Sequence, residues 1–391
     1  MAHVSLRYSN YEIWMLINLL TLFGLLVILL TAFKRYKVFT NDNFDISFVS
    51  FVSLVTLYLI SDLYRIDPLG AIGWGVLLAN LVVIKNCDNT PIRTFFNTYI
   101  FIISGIALYA ITTSVLVRLN IKQFEEFPYM SLNYMLLHHD SFKYVFGMSV
   151  PRISAHLQQV SLIPAYFIFP LGIGMLFFNI KWKYFFVIII FSLLSLSGSI
   201  YYLFASAMMA YIFHTFIRRY KIILSFFFLF FMLALAFSIA LHYEFGIKPD
   251  FFQYHYDSFL LRGSSGISRL AIIGRGIREF FESPILGFVR EGNINLFLLG
   301  SLVVSAAVRA GILALVIIVY IYYLLLTKLN KLKITNTKEK VGFTLVYVSL
   351  VMMMSYQDYG FGSVHGFLML FILVHLLNNR RRDELSKNKS P

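Results

Sequence analysis

Arginines beside glycine–serine turns are the residues in this chain best suited to chemistry. Arg269 follows Gly263-Ser264-Ser265-Gly266 and Ser268; a helix start plus a guanidinium makes an anion site. Arg262 stands just before the same run, with His255 and Asp257 a few residues earlier. Arg152 lies in Pro151-Arg152-Ile153-Ser154-Ala155-His156, and His156 shares its face if that stretch is helical. Arg309 falls at the mouth of a further apolar stretch. A guanidinium is always charged and grips phosphate with paired hydrogen bonds. Two or three converging arginines therefore suit a pyrophosphate or another acidic ligand. His255, His156 or Asp257 is placed to act as a general base, provided the geometry brings it to its proton.

Each of these residues also has a plainer reading. Arg152 is either a fixed guanidinium or an interfacial arginine whose head snorkels to lipid headgroups. His156 is either a base or a polar filler. Tyr254 and Tyr256 either stack on sugar rings or anchor the chain at a membrane interface. The outer segments hold no Asp-x-Asp pair and no His/Cys/Asp cluster with metal-ligand spacing, and the chain has no Walker loop. The expected chemistry thus uses neither metal nor cofactor.

These residues need elements to hold them, and the elements are apolar spans. Eleven can be read: 13–33, 46–63, 69–84, 95–117, 160–180, 184–197, 200–217, 222–243, 308–327, 341–357 and 361–377. About 20 apolar residues cross a bilayer as a helix. The 184–197 span falls short and ends in Ser197-Gly198-Ser199, which suggests a turn inside the membrane, tolerated where protein or water covers it. The stretch 294–307 is apolar but too short to cross, and reads as a re-entrant or extended helical piece. Counting about 20 residues back from Lys328 puts Arg309 at the outer mouth of its span. Two long outer segments, 118–159 and 244–307, carry the candidate residues. Within the second, 268–282 reads as an amphipathic helix. Leu270, Ile273, Ile277, Phe280 and Phe281 form its apolar stripe, with Arg275, Arg278, Glu279 and Glu282 opposite. The tail 378–391 reads as a solvated, frayed end.

Composition agrees. Of 391 residues, 59% are hydrophobic, 18% aromatic and 13% charged, where a soluble domain is roughly 25% charged. Too little polar skin exists for a soluble enzyme, and the single cysteine, Cys87, permits no internal disulfide. With the N-terminus outside, the inner segments hold 20 of the 33 basic residues and six of the 19 acids. The whole excess of +14 then lies on one side. That is a positive-inside pattern, and it places the N-terminus outside and the C-terminus inside, in the cytoplasm. The basic balance reflects membrane topology and calls for no nucleic acid. The expectation is an all-α polytopic membrane protein: one transmembrane domain over 1–391, with two long outer loops and a cytoplasmic tail.

The order of motifs resembles the O-antigen polymerase and ligase superfamily, Wzy-type polymerases especially. Arg152 follows a long outer segment. Leu196-Ser197-Gly198-Ser199 comes next, then Gly263-Ser264-Ser265 leading to Ser268-Arg269-Leu270. Pro284-Ile285-Leu286-Gly287 and Arg309-Ala310-Gly311-Ile312-Leu313 complete the series. The resemblance covers roughly 140–325 and its motifs are short. It implies a metal-independent, GT-C-like glycosyltransferase acting on undecaprenyl-pyrophosphate-linked oligosaccharide repeat units in the bacterial inner membrane, so that the N-terminus and the two long outer loops are periplasmic. It further implies that Arg152 and Arg269 hold the pyrophosphate leaving group. Beside them, Arg262, Arg309, Asp257, Tyr254 and Tyr256 read from their types and positions as substrate contacts. A chain-length regulator and a flippase are the implied partners. Ligases of this superfamily carry a His-Asn pair that would align with Gly300-Ser301 here, so the ligase histidine is missing. A lipid-linked oligosaccharide flippase is the rival of a different class. Transporters show inverted repeats and helices broken at mid-membrane; no repeat is legible, and the candidate charges lie in outer segments.

Overall fold

A computed structural model describes residues 46–64, 68–87, 89–118, 137–145, 148–153, 163–195, 198–245, 273–274, 276–285, 287, 301–355 and 363–387. The described chain is helical, with one short hairpin. In order come α1 (Ile46–Tyr64), α2 (Pro68–Lys85), α3 (Asn89–Arg118), β1 (Leu137–Val145) and β2 (Met148–Ile153). A π-helical turn, Pro164–Ile168, leads into α4 (Phe169–Phe177), followed by α5 (Trp182–Leu194), α6 (Gly198–Ile212) and α7 (His214–Phe245). The last three helices are α8 (Leu302–Lys331), α9 (Thr337–Ser355) and α10 (Val364–Lys387). Among the described residues, four stretches are long and apolar enough to cross a membrane: Ile46–Leu63, Asn89–Thr112, Arg219–Ser238 and Leu302–Lys331. Shorter apolar helices accompany them. The expected span 13–33 lies outside the described residues.

Exposure on α7 follows from a lipid-like solvent. Ser225, Leu229, Met232 and Ala236 form a buried stripe, while Ile223, Phe227 and Phe230 stand exposed on the other side. In water a row of bare phenylalanines would be a liability; in hydrocarbon it costs nothing, because lipid tails are as apolar as the side chains.

The chain divides into two units. One comprises the described residues of 86–214 and residues 333–349. Here α3 packs on α4 and α5. Pro170 has no N–H to give the carbonyl four residues back, which belongs to Tyr166. The Tyr99 hydroxyl donates to that carbonyl at 2.9 Å, so the group is satisfied at a point where lipid offers no donor. We predict that Tyr99→Phe lowers stability by about 1 kcal/mol, with no change in helix content; an unchanged melting temperature in detergent would refute this. Helices α5 and α6 are both short. Tyr201 of α6 donates to the Leu193 carbonyl of α5 at 2.9 Å, covering one of the orphan carbonyls at that helix end.

The hairpin belongs to the same unit. Its strands run antiparallel, with Val145 opposite Met148 and Leu137 opposite Ile153. The register shifts between His138 and Phe142. The shift falls beside Pro151, which pairs with Phe142 and cannot donate to a ladder.

The second unit comprises the described residues of 39–85, 215–332 and 350–391. Helices α1 and α2 pack together, α8 lies along α1, and α10 lies along α2. At one end of this bundle the Lys328 ammonium donates to Ser47 Oγ and to Asn378 Oδ1, both at 2.6 Å. Lys85 sits over the Phe48 ring, 4.4 Å from its centre. The α8 helix starts six residues earlier than the span expected at 308, and takes in part of the 294–307 stretch as extended helix. The tail expected to fray from 378 is helical to Lys387; Arg, Glu, Leu and Lys are good helix formers and continue α10.

Candidate functional site

The described candidate site lies at the end of that bundle away from Lys328, where α8 is broken. Ala310 has φ −143° and ψ 25°, and Gly311 has φ +72° and ψ −163°. That second pair of angles belongs to a region only glycine enters cheaply. A break frees backbone groups that must find other partners. The Ile312 N–H donates to the Pro284 carbonyl at 2.7 Å. The Ser61 hydroxyl donates to the Arg309 carbonyl at 2.8 Å. The partner of the break is thus the turn after the 273–282 helix, where Gly287 donates its N–H to the Ser283 carbonyl at 3.1 Å. Both contacts need glycine. A Cβ on Gly311 would lie 2.0 Å from the Ile285 carbonyl oxygen, and one on Gly287 (φ +82°) would lie 2.7 Å from the Arg309 carbonyl.

Arg309 stands at the last helical position before the break and is 8% exposed. Its guanidinium Nη2 donates to Asp62 Oδ1 at 2.5 Å and also to Oδ2. Asp62, 2% exposed, takes a further hydrogen bond from Trp74 Nε1 at 2.9 Å. The guanidinium carbon lies 4.8 Å from the centre of the Tyr58 ring and 5.0 Å from that of Trp74. Tyr58, Trp74 and Phe367 meet edge to face at 5.0–5.6 Å. A lone arginine at a membrane centre costs about 2.5–3.5 kcal/mol. Here one carboxylate neutralises it and two aromatic faces stabilise it, at about 2 kcal/mol for a desolvated cation–π contact. After the break the helix runs sixteen residues on from Ile312 to Lys328, about 24 Å along its axis. Helix α8 is therefore tied to α1 by polar contacts at two points, Arg309 and Lys328.

The helix before the turn corrects part of its expected orientation. Ile273 is fully buried against Met232, Ala236, Val304 and Val308, with Ile277 and Phe280 packed on them. Phe281, expected on this stripe, is 65% exposed, while Glu279, expected on the solvated face, is 3% exposed. Gly274 and Gly276 are buried too, so the buried face of this helix includes its small residues and Glu279, and the large ring of Phe281 points outward. Arg278 and Glu282 form the expected i,i+4 ion pair at 3.4 Å, half exposed.

Arg152 also departs from expectation. It lies in β2, opposite His138, and does not open a helix, because the hairpin's backbone pairing extends to Ile153. His156, Tyr254, His255, Tyr256, Asp257, Arg262 and Arg269 lie outside the described residues. The structure therefore brings Arg309 together with the 283–287 turn, and tests no other pairing among the candidates. Sequence reasoning overlooked Asp62, Ser61, Tyr58 and Trp74. A signal was present: Asp62 is the sole charged residue in the span 46–63, and an ionisable residue inside an apolar span needs a partner.

No family model matches the chain, and neither a curated protein nor a solved structure is significantly similar to it.

Proposed function

We propose that this chain is a polysaccharide polymerase of the Wzy type, in the O-antigen polymerase and ligase superfamily. It crosses the bacterial inner membrane eleven times, with its N-terminus in the periplasm. One observation carries the reading furthest. Pro284-Ile285-Leu286-Gly287 and Arg309-Ala310-Gly311-Ile312-Leu313 are two of the motif segments behind the resemblance, and they meet backbone to backbone. Motifs that read as separate in sequence thus act as one piece of structure, and a break in an apolar helix is tolerated where it borders a covered or functional site. Where ligases carry their His-Asn pair, Ser301 is buried here, with its hydroxyl given to the Met354 carbonyl; no base stands at that position.

In the proposed reaction a hydroxyl of a fresh lipid-linked repeat attacks the anomeric carbon of the growing chain. The bond from that carbon to the pyrophosphate oxygen breaks, and the hydroxyl proton passes to a base, His255 or His156. The polymer moves onto the new repeat, and undecaprenyl pyrophosphate leaves. Arg152 and Arg269 stabilise the charge growing on the leaving group, a contribution that is usually the largest in such chemistry. Loss of one such donor costs about 2.7–4 kcal/mol, or 10²–10³ in rate. We predict that Arg152→Lys and Arg269→Lys each shorten the polymer sharply, read by gel on a complemented deletion strain. Full-length polymer from both variants, at normal protein levels, would sink the assignment.

A further inference from the structure

We infer that Asp62 and Ser61 are positioning residues: they hold the break in α8 and, through it, the turn that carries the outer segment. In its consequence for rate this rests on the function proposed above; in its structural content it does not. Four observations converge. Consecutive residues of α1 hold Arg309 twice, Ser61 at its carbonyl and Asp62 at its guanidinium. Trp74 of α2 fixes the carboxylate, so both α1 and α2 contribute. The Arg309 carbonyl that Ser61 holds is the one Gly287 packs against, and the next peptide but one gives its N–H to Pro284. The turn therefore rests on a backbone whose position is set by Asp62, and it has no room for adjustment, since a Cβ at either glycine would meet backbone within 2.7 Å or less.

The charge balance gives the same assignment. With Asp62 bound, the guanidinium is neutralised and enclosed by Tyr58 and Trp74, so its energy goes into fixing the helix and not into attracting an anion from outside. A hydrogen bond to a charged group contributes roughly ten- to a hundredfold in an equilibrium constant. Asp62→Asn keeps the shape and the Trp74 contact but removes the charge. It should therefore release the break locally without unfolding α8.

The test is amide hydrogen exchange on the purified full chain in nanodiscs, comparing the parent with Asp62→Asn, Asp62→Glu and Trp74→Phe. The expected result is exchange at least about tenfold faster at 285–287 and 310–313 in Asp62→Asn, a smaller rise in Trp74→Phe, and no change over 318–329. Asp62→Glu should restore most of the protection. Unchanged exchange at the break would overturn the inference, as would a rise of equal size over 318–329, which would mean general loosening of the bundle. On lipid-linked repeats, Asp62→Asn should lower kcat by roughly tenfold and leave KM within about twofold, as expected for lost positioning of groups used in the transition state. A lowered KM for the pyrophosphate-linked donor would also overturn it, because Asp62 would then be competing with substrate for Arg309. If the parent chain polymerises nothing, the proposed function fails while the exchange result still decides the positioning role.

Discussion

Replacing Arg309 with methionine should destabilise the protein by about 3–5 kcal/mol, the usual cost of stripping one partner from a buried ion pair. Methionine fits between Tyr58 and Trp74, so packing is roughly preserved. What remains is Asp62, 2% exposed, with Trp74 as its donor and, among the described residues, no cation beside it. The second half of the expectation is sharper. A pair replaced as a whole by apolar residues is often neutral or even stabilising, because neither charge then has to be stripped of water. The double variant Asp62→Leu with Arg309→Met should therefore regain most of what the single variant loses. Thermal unfolding in a single detergent, with all three proteins side by side, reads the effect. A double variant as weak as Arg309→Met would mean that the charges do more than neutralise each other.

Gly311→Ala should lose at least about 3 kcal/mol, the sum of a backbone region that only glycine enters cheaply and an overpacked contact. At φ +72° the new methyl would lie 2.0 Å from the Ile285 carbonyl oxygen and 2.5 Å from its carbon. Neither atom is the movable end of a side chain, so the 283–287 turn itself must leave. Gly75 and Gly105 supply the control. Both lie inside helices, and an added Cβ at either would have nothing within 4 Å, so alanine there should be neutral or stabilising by about 0.5–1 kcal/mol. Equal effects at Gly311 and Gly105 on the melting temperature would contradict the described break.

Sequence periodicity located the helices well, because lipid imposes a length and a composition that need no knowledge of packing. The spans 46–63 and 69–84 coincide with α1 and α2 almost to the residue. It located the polar pairings poorly. Arg309 was visible as an unusual charge, yet its partner stands 247 positions away, and no spacing rule reaches that far. The orientation of the 273–282 helix was misread for a related reason. Hydrophobic counting assigns Phe281 inward and Glu279 outward, but the buried face takes in Gly274, Gly276 and Glu279 beside Ile273. Pro151 marked a β irregularity that a helical reading of the Arg152 segment passed over. The motif order did carry one thing that periodicity could not: it picked out two short segments, at 284 and at 309, that turn out to touch.

Whether this chain polymerises lipid-linked glycan is tested most directly by deleting its gene, then running surface glycans on a gel and extracting lipid-linked intermediates from the same cells. The proposal predicts acceptors capped with a single repeat unit, no ladder, and single repeats on the lipid carrier. Uncapped acceptors with long polymer accumulating on the carrier would contradict it and make the chain a ligase. Uncapped acceptors with single repeats trapped on the inner face would contradict it in favour of a flippase.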